Sequence, residues 1–229
     1  ITIKIPGGKM KKLIVTIIFL SVAAFLYPKS DNWREKMDIH KKLKFIQTND
    51  MVEMEYNLDD KYAIPRNLIF KKGIKNKIKM FSARDSAKQF LFENRDLYKM
   101  KNPWQEMEFY SESIDEKNNH HIKLQQKYKN IPVWGHQKIV HLNDKNEIIS
   151  ANGTYLPDIT INPVINISKQ QAVNIVRGTV PQTSVLINEN CGAYILDMND
   201  FDTNRHDIFS AWQINFYDKE KWDNWYYYV

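Results

Sequence analysis

The sequence predicts an α+β fold of two modules built on one plan, a helix followed by a curled antiparallel sheet. Three observations predict it. Ser82 and Ser168 each precede an apolar helical stripe and have Asp85 or Gln171 three residues on, the spacing of a helix N-cap. Each helical stretch is followed by runs that alternate apolar and polar residues with period two, as strands with one buried face require. A proline-bounded connection from Pro157 to Pro163 separates the two sets.

The elements follow in chain order. Met10-Lys11-Lys12 precedes an apolar run from Leu13 to Leu20 and small residues at Ser21 and Ala23, the layout of an export signal cut after Ala23. The stretch Leu13 to Leu26 has 14 residues, short of the ~20 that cross a bilayer. Residues 10–23 are therefore read as a signal peptide that leaves no stable membrane anchor after cleavage. Residues 1–9 read as a mis-assigned upstream extension, because Gly7-Gly8-Lys9 fits a purine-rich ribosome-binding site translated in frame ahead of a start at Met10. Residues 24–63 form an N-terminal segment of uncertain structure. From Asp31 to about Lys79 the polar, weakly periodic sequence predicts irregular structure or short strands.

Residues 64–157 make the first module. Its helix starts at Ser82, presents Ala87, Phe90, Leu91 and Leu97, and ends at Asn94 or in the Lys101-Asn102-Pro103 stretch. In the strand His121 to Tyr128, Ile122, Leu124, Gln126 and Tyr128 share one face, so Gln126 should point inward with its amide hydrogen-bonded. Lys129-Asn130 is a turn, since Asn tolerates a left-handed backbone. Strands Val133 to Leu142 and Glu147 to Tyr155 follow, joined by Asn143-Asp144-Lys145-Asn146. Residues 158–167 are the linker and 168–229 the second module. There Ser168 caps a helix with Ala172, Ile175 and Val176 as its stripe, stopped by Gly178 and Pro181. Strands are expected at Ser184 to Ile187, Ala193 to Met198, Ile208 to Tyr217 and Trp222 to Val229. In the third of these, Trp212, Ile214 and Phe216 alternate with Ala211, Gln213 and Asn215, which suits one buried face.

Composition excludes several function classes. Aromatic residues make up 13% of the chain, too much for a disordered one. Of the 33 Lys and Arg, four lie in the first 23 residues, which hold no acid, leaving 29 against 27 acidic residues. The body is nearly balanced, and the Lys71 to Lys79 cluster reads as a solvated loop, so nucleic acid is not an expected partner. Cys191 has no second cysteine to pair with, which fits a bacterial exported protein that does without disulfides.

Catalytic patterns are missing as well. There is no HExxH, no GxSxG elbow and no glycine-rich phosphate loop. His120-His121 are adjacent and point to opposite faces of a strand, as do His136 and His141, so these read as surface or part-buried histidines. Cys191 sits in a turn with no histidine related to it in sequence, and Asp59-Asp60 reads as a solvated loop pair. An enzyme acting through Cys191 or the histidines is thus the least supported reading, which activity surviving their replacement by Ala would dismiss.

The run His120-His121-Ile122-Lys123-Leu124-Gln125-Gln126-Lys127-Tyr128-Lys129-Asn130-Ile131-Pro132-Val133-Trp134-Gly135 resembles the propeptide domain shared by fungalysin and thermolysin precursors. That family has a Gln-Gln-x-Tyr element, a short turn, a Pro-Val-aromatic-Gly element and a strand ending in His. Here these are Gln125, Gln126 and Tyr128; Asn130, where the family usually has Gly; Pro132, Val133, Trp134 and Gly135; and His141, followed by Gly153. Ser168 to Val176, Ala211-Trp212-Gln213-Ile214 and the Trp225 to Val229 strand resemble the second, PepSY-type propeptide domain, with Trp212 among its motif residues. The resemblance covers about residues 64 to 229 and implies two cystatin-like modules. It implies the propeptide of a secreted thermolysin-like zinc metalloprotease, acting as intramolecular chaperone and inhibitor, with these motif residues structural or interfacial. It implies no catalytic residue, cofactor or metal in this chain, zinc and calcium being expected only in the catalytic domain, which is the expected partner. In the family the last strand runs on toward the protease domain, so 168–229 reads as a domain truncated at its C-terminal end. The alternative is a free-standing secreted protease inhibitor or cell-surface binding module, and a reading frame continuing to HExxH separates the two.

Overall fold

The computed structural model describes residues 2–6, 14–16, 32–202, 205 and 207–229, without the side chains of 2–6, 14–16 and 49. The export signal read at 10–23 lies outside the described residues except for the backbone of 14–16. The elements in chain order are β1 (Thr2–Pro6), β2 (Ile14–Thr16), α1 (Trp33–Asn49), β3 (Met54–Leu58), β4 (Pro65–Ile74), α2 (Ala83–Glu93), α3 (Arg95–Tyr98) and α4 (Pro103–Glu106). Then come β5 (Met107–Ile114), β6 (His120–Tyr128), β7 (Ile131–Leu142), β8 (Ile148–Gly153), α5 (Lys169–Arg177), β9 (Val185–Leu186), β10 (Gly192–Asp197), β11 (Ile208–Asp218) and β12 (Asp223–Tyr228). The chain forms two compact units, Tyr27–Ile159 and Thr160–Val229, the latter with the residues before 27. Both are α+β.

In Tyr27–Ile159 the strands run antiparallel in the order β5-β6-β7-β8-β4-β3. Ser82 caps α2 by accepting from the Asp85 N–H, and Asn94 closes it, so Leu97 falls in the separate short helix α3. Ala87, Phe90 and Leu91 of α2 are buried in one cluster with Ile122, Leu124, Val140 and Leu142 of the sheet. Burying such side chains is worth roughly 1.5–3 kcal/mol each and holds helix and sheet together.

The stretch from Asp31 to Lys79 corrects the expectation of irregular structure or short strands. It holds the 17-residue helix α1 and the ten-residue strand β4 as well as the short strand β3. Ile39 and Leu43 of α1 are buried in the same core, with Ile46 partly buried beside them. That is an i, i+4, i+7 stripe, only three residues long, on a helix whose other large apolar residues, Trp33, Met37 and Phe45, are exposed.

In Thr160–Val229 the antiparallel order is β10-β11-β12, with β1 on β12, β2 on β1 and β9 on β11. Ser168 and Gln171 form the full reciprocal capping box at the start of α5. The stripe differs from the expected one: Ala172, Val173 and Val176 are buried against Ile214, Phe216 and Tyr227, while Ile175 is 46% exposed. The β11 expectation is corrected too, because Ala211, Gln213 and Asn215 are buried as well as Ile214 and Phe216. Both faces of this strand lie inside. Its amides are satisfied: Gln213 donates to the Asn190 carbonyl at 2.8 Å and accepts from the Tyr228 hydroxyl at 2.7 Å, and Asn215 donates to the Trp225 carbonyl at 3.2 Å.

Candidate functional site

The β6–β7 hairpin gathers most of the singled-out residues. Its two-residue turn, Lys129-Asn130, has φ of 48° and 66°, both left-handed, so both turn residues adopt the sign a type I′ turn needs. Tyr128 pairs with Ile131 and Lys127 with Pro132. Hydrogen-bonded and open pairs alternate in an antiparallel ladder, so the missing N–H of Pro132 falls on the open pair and costs no bond to β6. On the other side, β8 reaches β7 only from Lys138 onward.

Beyond the turn the register slips. Lys127 pairs with Pro132 but Gln125 pairs with Gln137, so Gln126 alone faces Val133, Trp134, Gly135 and His136. This bulge is held by the two glutamines. The Gln125 amide, on the outer face, donates to the carbonyls of Val133 at 2.7 Å and His136 at 3.0 Å, the two ends of the bulge. The Gln137 side-chain amide donates to Oε1 of Gln125 at 2.8 Å, which orients that amide.

Gln126 points inward as its register predicts and is 2% exposed. Its amide donates to the Leu156 carbonyl at 2.7 Å and accepts from the Leu156 N–H at 2.8 Å, so the segment after β8 is tied down by a side chain that mimics a strand. A buried amide without partners costs about 1–3 kcal/mol, so this reciprocal pair is what makes Gln126 tolerable in the core.

The glycines serve the same bulge. Gly135 has φ of 73° and is exposed at its apex, and Thr154 donates its hydroxyl to the Gly135 carbonyl at 2.9 Å. Gly153 has φ of 105°, and a Cβ there would lie 2.1 Å from the Gln137 carbonyl oxygen. Only glycine allows that approach. Val133 is fully buried, whereas Pro132, Trp134 and Tyr128 are half-buried around the turn.

This arrangement is a mechanical clamp with its polar groups spent on backbone carbonyls and amides. Residues 105–155 match the Fungalysin/Thermolysin Propeptide Motif family. The propeptide motif thus spans α4's end through β8, and its two glutamines, Val133, Gly135 and Gly153 are the residues the bulge brings together. No curated protein matches the chain. Among solved structures, the Bacillus megaterium YpeB C-terminal domain aligns at 10% identity and a TM-score of 0.38, covering 85% of this chain and 90% of that one.

Two of the residues singled out in the sequence lie away from the clamp. Trp212 is in the other unit, where its indole N–H donates to the Ile167 carbonyl at 2.8 Å and anchors the approach to α5. His141 sits at the far end of β7, where it meets a residue the motif did not single out. His121 and His141 are direct partners across β6 and β7, and their Nδ1 atoms stand 2.6 Å apart, the rings tilted by 70°. Asn152 bonds the other ring nitrogen of His141 at 3.0 Å, and Asp115 lies 3.5 Å from Nε2 of His121. Burial, and then the His121 ring, push the His141 imidazole below its ordinary value. Hydrogen bonds from Asn119 hold the Asp115 carboxyl down at about 2.

Lys138, another residue missed in the sequence, is fully buried beneath the motif. Its amine donates to the carbonyls of Pro65 at 2.8 Å and Gly153 at 2.9 Å and lies 4.4 Å from the Tyr98 ring centre. Burial pulls its pKa down to about 7. The other candidates weighed in the sequence have structural partners: the Cys191 thiol donates to the Ile187 carbonyl, Asp59 caps the turn at Lys61 and Tyr62, and Asp60 pairs with Lys36 at 2.7 Å.

Proposed function

We propose that this chain is the propeptide of a secreted, thermolysin-like zinc metalloprotease and acts as folding aid and inhibitor of its catalytic domain. The observation that carries the reading is the propeptide motif at 105–155, whose motif residues serve to hold a bulged hairpin in shape. Residues 168–229 are the second, PepSY-type part of the same propeptide. Zinc and calcium for the proteolytic reaction belong to the catalytic domain, and the protein acts outside the cell.

The physics of such a partner needs no chemistry in this chain. A surface that binds the native protease and not the unfolded one stabilises the native state by mass action. Covalent tethering raises the effective concentration of that surface to the millimolar range for a short flexible link. Cleavage removes the tether, and the same interface then weakens by dilution.

The test uses mature thermolysin as the probe. The purified chain is added to active enzyme and, separately, to enzyme diluted out of guanidinium. The expected results are inhibition that rises with chain concentration and a higher yield of recovered activity. Inhibition without improved recovery favours the free-standing inhibitor. Neither effect, on thermolysin or on a panel of thermolysin-like enzymes, overturns the proposal.

A further inference from the structure

The outer face of the β5–β8 sheet carries a cross-strand histidine pair that the hairpin clamp does not use. Ser113, His121, His141 and Ser150 form one row across β5, β6, β7 and β8. This row is on the face opposite the core, because the neighbouring row of Ile122, Val140 and Ala151 is buried. Both histidines are half-buried, and their Nδ1 atoms converge to 2.6 Å.

We propose that His121 and His141 form a binding site for one divalent transition ion of the zinc or copper class. Imidazole nitrogens suit these ions. At a metal–nitrogen distance of about 2.0–2.1 Å, two nitrogens on one ion stand roughly 2.9–3.4 Å apart. The pair needs to open by about half an ångström to admit it, a change that small side-chain rotations supply.

The groups behind the rings fit the same assignment. A metal-bound histidine carries its proton on the other ring nitrogen and gives it to a carboxylate or amide oxygen, which fixes the ring. Asp115 Oδ2 stands 3.5 Å from Nε2 of His121, in place to accept that proton. The Asn152 amide is 3.0 Å from Nε2 of His141. Its oxygen and nitrogen exchange by a flip of the amide, so Asn152 accepts when the ion is bound and donates when it is absent. Two protein ligands leave the remaining positions of a tetrahedral ion to water or to a side chain of another molecule. This site lies on the chain that the sequence reading expected to hold no metal.

Calorimetric titration of the full metal-free chain with ZnCl2 and with CuCl2 at pH 7.5 tests the proposal. One ion per chain is expected, with a rise in Tm. His121→Gln and His141→Gln should each reduce binding to background, and Asp115→Asn should weaken it about tenfold. His40→Gln and His120→Gln should leave it unchanged. Far-UV circular dichroism of the metal-free variants establishes that each is folded, and Asp115→Asn keeps the test open if a histidine variant is not. Absence of binding to the wild-type chain, or binding retained by either His121→Gln or His141→Gln, overturns the proposal.

Discussion

His121 stands opposite His141 although counting outward from the Lys129-Asn130 turn sets it opposite Lys138. The three-residue offset arises because Gln126 alone faces Val133 to His136. Register on one side of the bulge therefore depends on the side chains that hold the bulge shut.

That dependence separates the two glutamines energetically. Gln126→Leu keeps the volume but leaves the N–H and carbonyl of Leu156 buried without their partner, at a cost on the order of 3 kcal/mol. Gln125→Leu removes only part-buried bonds to the Val133 and His136 carbonyls and orphans no backbone N–H. An under-satisfied carbonyl is the better tolerated of the two, so the cost is about 1 kcal/mol. Guanidinium unfolding of both variants checks the order. A larger loss for Gln125→Leu than for Gln126→Leu would show that the bulge, and not the buried tie, carries the stability.

Much of the fold was legible where the signal is local. Ser82 and Ser168 cap helices through atoms three residues away, and strand alternation alone points Gln126 inward. Local patterns fail where a few residues decide or where tertiary context does. In α1 only Ile39, Leu43 and Ile46 mark the buried stripe, and the exposed apolar side chains of Trp33, Met37 and Phe45 blur its helical period. In α5 the choice between Val173 and Ile175 turns on a rotation that nine residues do not define. The two buried faces of β11 follow from what packs on each side, and alternation carries no information on that. Within the site, the hairpin was readable from Pro132 and Asn130, whereas the His121–His141 pair was hidden by an offset that no turn rule anticipates.

The capping box of α5 gives a local prediction. Ser168→Ala removes the acceptor for the Gln171 N–H and costs about 1 kcal/mol. Gln171→Ala removes the reciprocal bond to the Ser168 N–H. Because each bond orients the other, the double variant should lose less than the two single losses added together. Strict additivity in a denaturation series would mean that the two halves of the box act independently.

Lys138 sets a pH dependence. Burial lowers its folded pKa to about 7, whereas the unfolded chain keeps the ordinary value near 10.4. Between these values the unfolded state binds more protons, so stability rises with pH by up to about 1.4 kcal/mol per unit and is lost as pH falls toward 7. The neutral amine has two N–H groups, which match the two carbonyls of Pro65 and Gly153. Unfolding free energies measured from pH 7 to pH 9.5 should climb in the wild type and stay flatter in Lys138→Met, whatever the variant's mean stability. Parallel profiles for the two proteins would assign the slope to another group.

Gly153 and Gly135 both have positive φ, yet their replacement should differ sharply. At Gly135 the backbone is left-handed and exposed, so Gly135→Ala pays about 1–2 kcal/mol for the conformation. Asn, which tolerates that region, should recover most of the loss. At Gly153 the Cβ of an alanine would lie 2.1 Å from the Gln137 carbonyl oxygen, with backbone on the other side of the clash. Relief requires β7 and β8 to part at the point where Thr154 donates its N–H to that same carbonyl and Lys138 reaches the Gly153 carbonyl. Gly153→Ala should therefore cost more than Gly135→Ala, and Gly153→Asn should bring no recovery. The Tm values of the four variants decide it: recovery by Asn at both positions would mean that φ alone, and not the close approach of the two strands, demands glycine at 153.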